Sequence, residues 1–133
     1  MEREVTTHHG NHLNDAIKIT AFGEPGPGGA CLRYRACVPM INPVEQHVKE
    51  NSARARTYCD VNFQNGNPAD EINGISNEAL LAIVLDRLQG FQSGPFACEK
   101  NKWAMVCVED ALQTLKSRTA ERQERGVEGQ QIK

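Results

Sequence analysis

Apolar residues in the second half of the chain recur at the i, i+3 and i+4 spacing of amphipathic helices. They predict two helices separated by a glycine-containing linker. The first is expected to begin after an N-cap at Ser76 or Asn77, where Ser and Asn side chains are favoured. The second is expected to run from about Ala97 to Arg125. This half of the chain is therefore predicted to form a helical hairpin.

The first predicted helix is apolar nearly all round. One broad face contains Leu80, Ile83, Val84, Arg87, Leu88 and Phe91. Leu81 and Leu85 lie on another face. We therefore expect burial on two sides. Because an unpaired arginine within an apolar face is costly, Arg87 is expected to pair with a carboxylate or to contact a ligand.

The second predicted helix carries an apolar stripe that ends in arginines. The stripe and its continuation are Ala104, Val108, Ala111, Leu115, Arg118 and Arg122. Cations near a helix C-terminus complement the helix dipole, but this does not explain why they continue a packing stripe. We expect the two arginines to project past the core toward an anion. Glu121 and Arg125 are spaced to form an ion pair.

The first half of the chain alternates apolar and polar residues, as half-buried strands do. Three segments show this pattern: Asp15–Gly23, Ala30–Val38 and Arg56–Gln64. Arg33 and Arg35 share one strand face, where they repel each other unless an anion or carboxylate lies near. A solvent-facing sheet surface is the ordinary alternative. The predicted fold is α+β, a small antiparallel β core followed by a C-terminal two-helix hairpin.

We expect one domain overall, in which the helices cover the sheet. Its parts are a flexible N-terminal tail (1–14), a β core (15–72), a paired-helix hairpin (73–126) and a C-terminal tail (127–133). Residues 39–55 indicate an exposed loop with at most one helical turn. The histidines of the N-terminal tail and the five cysteines lack the spacing of a zinc site, so no metal is predicted.

Composition limits the classes of function. The 133 residues are 39% hydrophobic and carry a formal net charge of -2. No global basic field is present, so long nucleic acid is not an expected partner. No apolar run approaches the ~20 residues of a membrane span and no signal peptide is visible, so a soluble, intracellular protein is expected.

The chain shows no arrangement typical of catalysis. No serine has a GxSxG setting and no carboxylate pair stands out, so we predict a protein that is not an enzyme, without catalytic residues or a cofactor. Arginine forks match phosphate oxygens, and aromatic rings stack on bases. The residues that offer this chemistry are Arg33, Arg35, Arg87, Arg118, Arg122, Phe91, Gln92 and Asn101. They predict a site for a small nucleotide-like anion, although Phe91 is equally suited to the core.

Three segments resemble a family of phage proteins. They are NFQNG (Asn62–Gly66), EALLAIVLDRLQGFQSGPFACEKN (Glu78–Asn101) and LKSRTAERQERGVEG (Leu115–Gly129). They are similar to the first-described Thoeris anti-defence family, the members of which are nucleotide sponges. The resemblance covers the C-terminal half well and the strand-rich half only in outline.

The resemblance implies a function and partners. It implies that the chain sequesters glycocyclic ADP-ribose of Thoeris immunity, cyclic di- or trinucleotides of CBASS immunity, or both, without degrading them. It also implies a homodimer or homohexamer (a trimer of dimers) in the cytoplasm of the infected bacterium.

The resemblance also implies roles for individual residues. Phe91 matches the stacking aromatic and Asn101 its polar partner, while Arg118 and Arg122 match a phosphate-holding pair at an oligomer interface. Arg33 or Arg35 matches an arginine of the β core. The alternative is a structural or protein-interaction module in which the helix arginines make intersubunit salt bridges.

Overall fold

The computed structural model describes residues 2–39 and 56–126, which form a four-stranded antiparallel sheet followed by a helical hairpin. The elements are β1 (Glu2–Val5), α1 (His12–Ala16), β2 (Lys18–Phe22), β3 (Arg33–Pro39), β4 (Arg56–Asn62), α2 (Asn77–Gln92) and α3 (Glu99–Glu124). The predicted α+β fold is therefore confirmed. The predicted loop at 40–55 and the predicted tail at 127–133 lie outside the described residues.

The sheet is a meander in which each strand pairs with the next one along the chain, in the order β1-β2-β3-β4. The register places Phe22 opposite Arg33, and Arg35 between Thr20 and Asp60. Since side chains alternate between faces, these residues share the polar face. The other face carries Val5, Ile19, Ala21, Tyr34, Ala36 and Val61. At 2% exposure, Ala21 is the only apolar side chain that is buried within residues 2–38 and 59–126.

The expectation of an irregular N-terminal tail is wrong at two places. Residues 2–5 form β1, which pairs with β2 although only one of its four residues is apolar. Tertiary pairing thus overrides a weak local pattern. Residues 12–16 form α1, which is capped by the Asn11 side chain accepting from the Asn14 amide at 2.8 Å. Because α1 occupies that segment, β2 begins at Lys18 and not at Asp15.

α2 and α3 pack through a seam in which residues alternate at spacings of three and four. On α2 the less exposed positions are Glu78, Leu80, Leu81, Leu85, Leu88 and Gln92; on α3 they are Asn101, Met105, Val108 and Leu112, and the same face continues through Leu115, Thr119 and Arg122. This spacing is that of paired helices that pack knobs into holes. The Ser76 hydroxyl caps α2 by accepting from the Ala79 amide at 3.1 Å, which confirms the predicted start.

The predicted inward stripe of α3 is wrong at Ala104 and Ala111, which are exposed, and the observed seam is rotated by roughly 50° from the predicted one at 100° per residue. Of the two arginines expected to project past the core, Arg118 is exposed, whereas Arg122 is buried at 8% exposure. Met105 and Leu112 remove more apolar area from water than alanines do, so they face α2 instead. None of the described helices is long and apolar enough to cross a membrane.

The prediction that α2 is buried on two sides, against the sheet and against α3 or a second subunit, stays a prediction, and several of its apolar side chains are partly exposed. Ile83 and Val84 are 59% and 46% exposed, and Phe91 is 42% exposed. Leu80, Val84, Arg87 and Phe91 recur at spacings of four and three, so they form a second stripe beside the seam. α2 therefore presents an apolar stripe that no described residue covers fully.

The chain divides into two compact units, Met1–Asn62 and the residues from Phe63 onward. The first contains the sheet and the second contains the hairpin with the loop before it. The packing of the helices on the sheet and the domain boundaries given above stay predictions.

Side-chain amides fix the loop between β4 and α2. The amides of Asn65 and Asn73 are joined by reciprocal contacts, in which Asn65 N donates to Asn73 Oδ1 and Asn73 Nδ2 donates to the Asn65 carbonyl, both at 2.8 Å. Gln64 Nε2 donates to the Glu71 carbonyl at 2.7 Å. Next to them, Gly74 lies so close to the backbone that an added Cβ would be 2.5 Å from Gln64 N. Glycine is therefore required at residue 74.

We predict that Gly74→Ala destabilises the protein by about 1–3 kcal/mol, because its new methyl group overlaps the backbone of residues 63 and 64. The measurement is the free energy of unfolding in a chemical denaturant. Gly90→Ala is the matched control, since a Cβ there meets nothing within 4 Å, and it is expected to stabilise α2 by about 0.5–1 kcal/mol. Equal effects of the two substitutions would contradict the described loop.

Candidate functional site

The eight residues predicted to bind a ligand fall in three places. Arg33 and Arg35 lie on β3; Arg87, Phe91, Gln92 and Asn101 lie at the linker end of the hairpin; Arg118 and Arg122 lie near the C-terminus of α3. Seventeen helical residues separate Asn101 from Arg118, a rise of about 25 Å. The hairpin therefore carries two separate candidate clusters, which we call the linker cluster and the arginine pocket.

On the sheet, both arginines of β3 lie over one aromatic ring. The guanidinium carbons of Arg33 and Arg35 are 5.9 and 5.6 Å from the centroid of the Phe22 ring, which is the range of cation–π contacts. Arg35 also makes a bidentate pair with Asp60, at 2.7 Å from Nε and 3.1 Å from Nη2. An anion or a carboxylate was expected near these arginines, and Asp60 supplies a carboxylate for Arg35.

The two sheet arginines therefore differ in what they can still bind. The hydrogen bond from Arg35 holds the pKa of Asp60 below its ordinary value; desolvation opposes this shift, and the charges of Arg35 and Arg33 add to it. Asp60 is thus ionised at neutral pH and neutralises the Arg35 guanidinium. Among the described residues Arg33 has no salt bridge, so it keeps its full charge for an incoming anion.

The linker cluster is built around Phe91, near the end of α2. The guanidinium carbon of Arg87, one turn earlier, lies 5.5 Å from the centroid of the ring. Arg87 was expected to pair with a carboxylate or to contact a ligand. Among the described residues no salt bridge joins it to a carboxylate, and the ligand contact stays a prediction. Phe91 is 42% exposed, so part of its ring is free to stack on a planar group.

Two amide residues of the linker cluster have different roles. Gln92 Oε1 accepts from the backbone N–H of Cys98 at 3.0 Å, and this contact closes the linker. Cys98 then caps α3, with its Sγ accepting from the backbone N–H of Asn101 at 3.5 Å. Within the described part of the chain, the Asn101 side-chain amide has no hydrogen-bond partner. Of the two predicted polar residues, Asn101 is therefore the better placed to contact a ligand.

The arginine pocket lies on the last two turns of α3. Its volume is about 220 Å³, and Arg118, Glu121, Arg122 and Arg125 line it. Arg122 is 8% exposed, whereas the other three side chains are exposed. Three guanidiniums and one carboxylate give these four residues a formal charge of +2. The pocket is therefore suited to an anionic group.

Sequence analysis missed two of the pocket residues. Glu121 and Arg125 were expected to pair with each other, but among the described residues no salt bridge joins them. Both line the pocket instead. Their spacing from Arg118 could have identified them, because residues at i, i+3, i+4 and i+7 share one face of a helix. By contrast, the position of Phe22 under Arg33 depends on the pairing of β2 with β3, which the sequence pattern does not give.

Comparison with known proteins identifies a relative among phage proteins. The chain is 49% identical over 77 residues to Thoeris anti-defense 1 of Bacillus phage SBSphiJ7. The alignment covers 56% of this chain and 54% of the relative, so the chain spans about half the length of the curated protein that it matches. This similarity confirms the predicted resemblance to the Thoeris anti-defence proteins. No protein-family model matches the chain.

We predict that the stability contributed by Asp60 depends on pH. Because the pKa of Asp60 is depressed by folding, its contribution is present above the ordinary aspartate pKa of about 3.9 and is lost as the pH falls through the depressed value. The melting temperature of Asp60→Asn should therefore be lower than that of the wild type at pH 7, and the difference should vanish at acid pH. Asp70→Asn is the control, since Asp70 is exposed and has no salt bridge among the described residues. A difference that is constant with pH would disprove the role of the Arg35–Asp60 pair.

Proposed function

We propose that this protein is a phage anti-defence sponge that binds and sequesters immune signalling nucleotides in the cytoplasm of the infected bacterium without degrading them. The observation that carries the proposal is the arginine pocket, in which three guanidiniums converge on one face of α3. The 49% identity to Thoeris anti-defense 1 supports the anti-defence role.

In this proposal the linker cluster holds glycocyclic ADP-ribose. Its base stacks on the exposed part of the Phe91 ring, and the Asn101 amide supplies a hydrogen bond. Base–aromatic stacking contributes about 1–3 kcal/mol per base. Arg87 is 5.5 Å from the same ring, within reach of a phosphate beside the stacked base. Gln92 orients the linker through Cys98 rather than contacting the nucleotide.

The arginine pocket holds the phosphates of a cyclic di- or trinucleotide. The C-terminus of α3 carries a partial negative charge, which disfavours an anion there. A single cation would do little more than cancel this effect. Arg118, Arg122 and Arg125 together exceed it, and guanidiniums bind phosphate oxygens in a bidentate manner.

In this proposal the sheet also supplies an arginine that contacts a nucleotide. The structure favours Arg33 for this role over Arg35, because Asp60 already neutralises Arg35. The Phe22 ring beneath both guanidiniums limits their motion through two cation–π contacts. Arg33 is therefore held in place and retains its charge.

The proposal includes self-association as a homodimer or homohexamer. The stripe of Leu80, Val84 and Phe91 is not fully covered in one chain, and such apolar surface is typical of interfaces. The described residues that line the arginine pocket all belong to one face of one helix or its immediate end. A second copy can supply the opposing groups and enclose the phosphates.

A structural or protein-interaction module is the alternative, and one observation favours it. The salt bridge between Arg35 and Asp60 shows that an arginine of this protein binds a carboxylate. Arg118 and Arg125 would then bind carboxylates of a neighbouring subunit. The alternative predicts no nucleotide affinity, and a smaller oligomer when Arg118 is replaced.

We predict that the wild-type protein retains a cyclic trinucleotide and releases it chemically intact on heat denaturation. Arg118→Ala should weaken binding about 10- to 100-fold, because a charge-assisted contact contributes about 1.5–3 kcal/mol. The measurement is a calorimetric Kd, with chromatography of the released ligand. Lys116→Ala is the matched control, since it removes one exposed positive charge nearly on the opposite side of the helix. Release of hydrolysed ligand would show an enzyme and overturn the sponge proposal.

We also predict that the two clusters on the hairpin act independently. Phe91→Ala should weaken binding of glycocyclic ADP-ribose about 10- to 100-fold and leave the cyclic trinucleotide Kd unchanged, because about 25 Å separates the sites. Phe96→Ala is the control, as Phe96 is 75% exposed and nearby in the linker. A parallel loss of both ligands in Phe91→Ala would show that one shared site binds them.

A further inference from the structure

The arginine pocket contains a carboxylate that an anion site does not need. Glu121 lines the pocket with Arg118, Arg122 and Arg125, and it is exposed to solvent. A carboxylate that lines the same pocket repels phosphate oxygens bound there. If the pocket bound anions by charge alone, Glu121 would only weaken it.

Among the described residues, Glu121 also makes no ion pair with a neighbouring side chain of its own helix. A glutamate four residues before an arginine is the favourable orientation for an ion pair on a helix. Arg125 stands at that position, yet among the described residues no salt bridge joins the two side chains. The carboxylate of Glu121 therefore keeps its acceptor capacity within the pocket.

The chemistry of the lining defines what such a pocket can recognise. Guanidiniums are donors without an acceptor, and an ionised carboxylate is an acceptor without a donor. A ligand that satisfies both must present anionic oxygens together with a hydroxyl or amine donor. Nucleotides have this combination, with phosphates beside ribose hydroxyls and exocyclic amines. Inorganic polyphosphates have the anionic oxygens alone.

We infer that Glu121 is the selectivity determinant of the arginine pocket, where it accepts a hydrogen bond from a hydroxyl or amine of the bound nucleotide and disfavours anions without such a donor. This inference rests on the proposed function, since it assigns a role within the same pocket. Arg125 acts with Arg118 and Arg122 on the anionic oxygens and carries no selectivity.

The same helix provides a contrast in Glu124. It is also exposed and has the same formal charge, but it is not among the described residues that line the pocket. A long-range electrostatic effect would be similar for the two glutamates, whereas a direct contact belongs to Glu121 alone. Glu124→Gln is therefore the matched control for Glu121→Gln.

The test compares two probes in the full-length protein by calorimetry at one ionic strength: 3′,5′-linked cyclic tri-adenylate, and tripolyphosphate as the anion without a carbon-bound donor. Glu121→Gln retains an acceptor oxygen and removes the charge, so it should bind tripolyphosphate about tenfold more tightly. Its affinity for cyclic tri-adenylate should change less than about threefold. Glu121→Ala should weaken cyclic tri-adenylate about tenfold. Arg125→Gln should weaken both probes by similar factors.

The outcomes separate this inference from the proposed function. A ratio of the two affinities that is the same in wild type, Glu121→Gln and Glu124→Gln would overturn the role of Glu121 while the sponge proposal stands. A ratio shifted equally by both glutamate substitutions would show a general charge effect and would also overturn it. If the folded wild type bound neither probe, both proposals would fail. Circular dichroism of each variant establishes that it is folded.

Discussion

The seam between α2 and α3 determines where every candidate binding group of the hairpin lies. Leu81, Leu85 and Leu88 pack along one helix, and Met105 and Leu112 occupy the facing seam. This packing fixes the rotation of α3 about its axis, and with it the side chains that face outward. The two helices differ in length, since α2 has 16 residues and α3 has 26. At 1.5 Å per residue, α3 continues about 15 Å beyond the reach of α2.

The two ends of the hairpin consequently have different chemistry. At the linker end the helices are equal in reach, and the aromatic ring and amide of the linker cluster come from both of them. At the other end α3 extends past the length of α2, and its outward positions are charged. Arg118, Glu121 and Arg125 need no apolar partner there, because they lie past the part of the helix that packs on α2. The unequal lengths therefore separate a stacking surface from a charged pocket.

Much of this could be predicted from the sequence where local signals are strong. Ser76 as the N-cap and the alternation around Arg33 and Arg35 identified α2 and β3. Prediction failed where partners distant in sequence decide the outcome. β1 is a strand because it pairs with β2, although its own pattern is weak. The face of α3 that packs on α2 contains the larger Met105 and Leu112. Their burial can be predicted only when the position of α2 is known.

The candidate sites show the same limit. The arginines and Phe91 could be identified as candidate binding residues from their residue types. The side chains that they contact in the fold could not be identified in this way. Asp60 is 25 residues from Arg35 in the sequence and 2.7 Å from it in the fold. That contact makes Arg35 less available to bind an anion, because Asp60 already balances its charge. The described residues that line the arginine pocket lie on α3 and its C-cap, so their spacing alone could have identified them.

The rise of α3 between Asn101 and Arg118 has a consequence for the evolution of such a protein. Substitutions more than about 10 Å apart, with no shared partners, contribute additively to free energy. Each end of the helix can therefore acquire mutations without changing the affinity of the other end. Under the proposed function, the specificity for one signalling nucleotide can change while the specificity for the other is preserved, because the two sites lie at opposite ends of one helix.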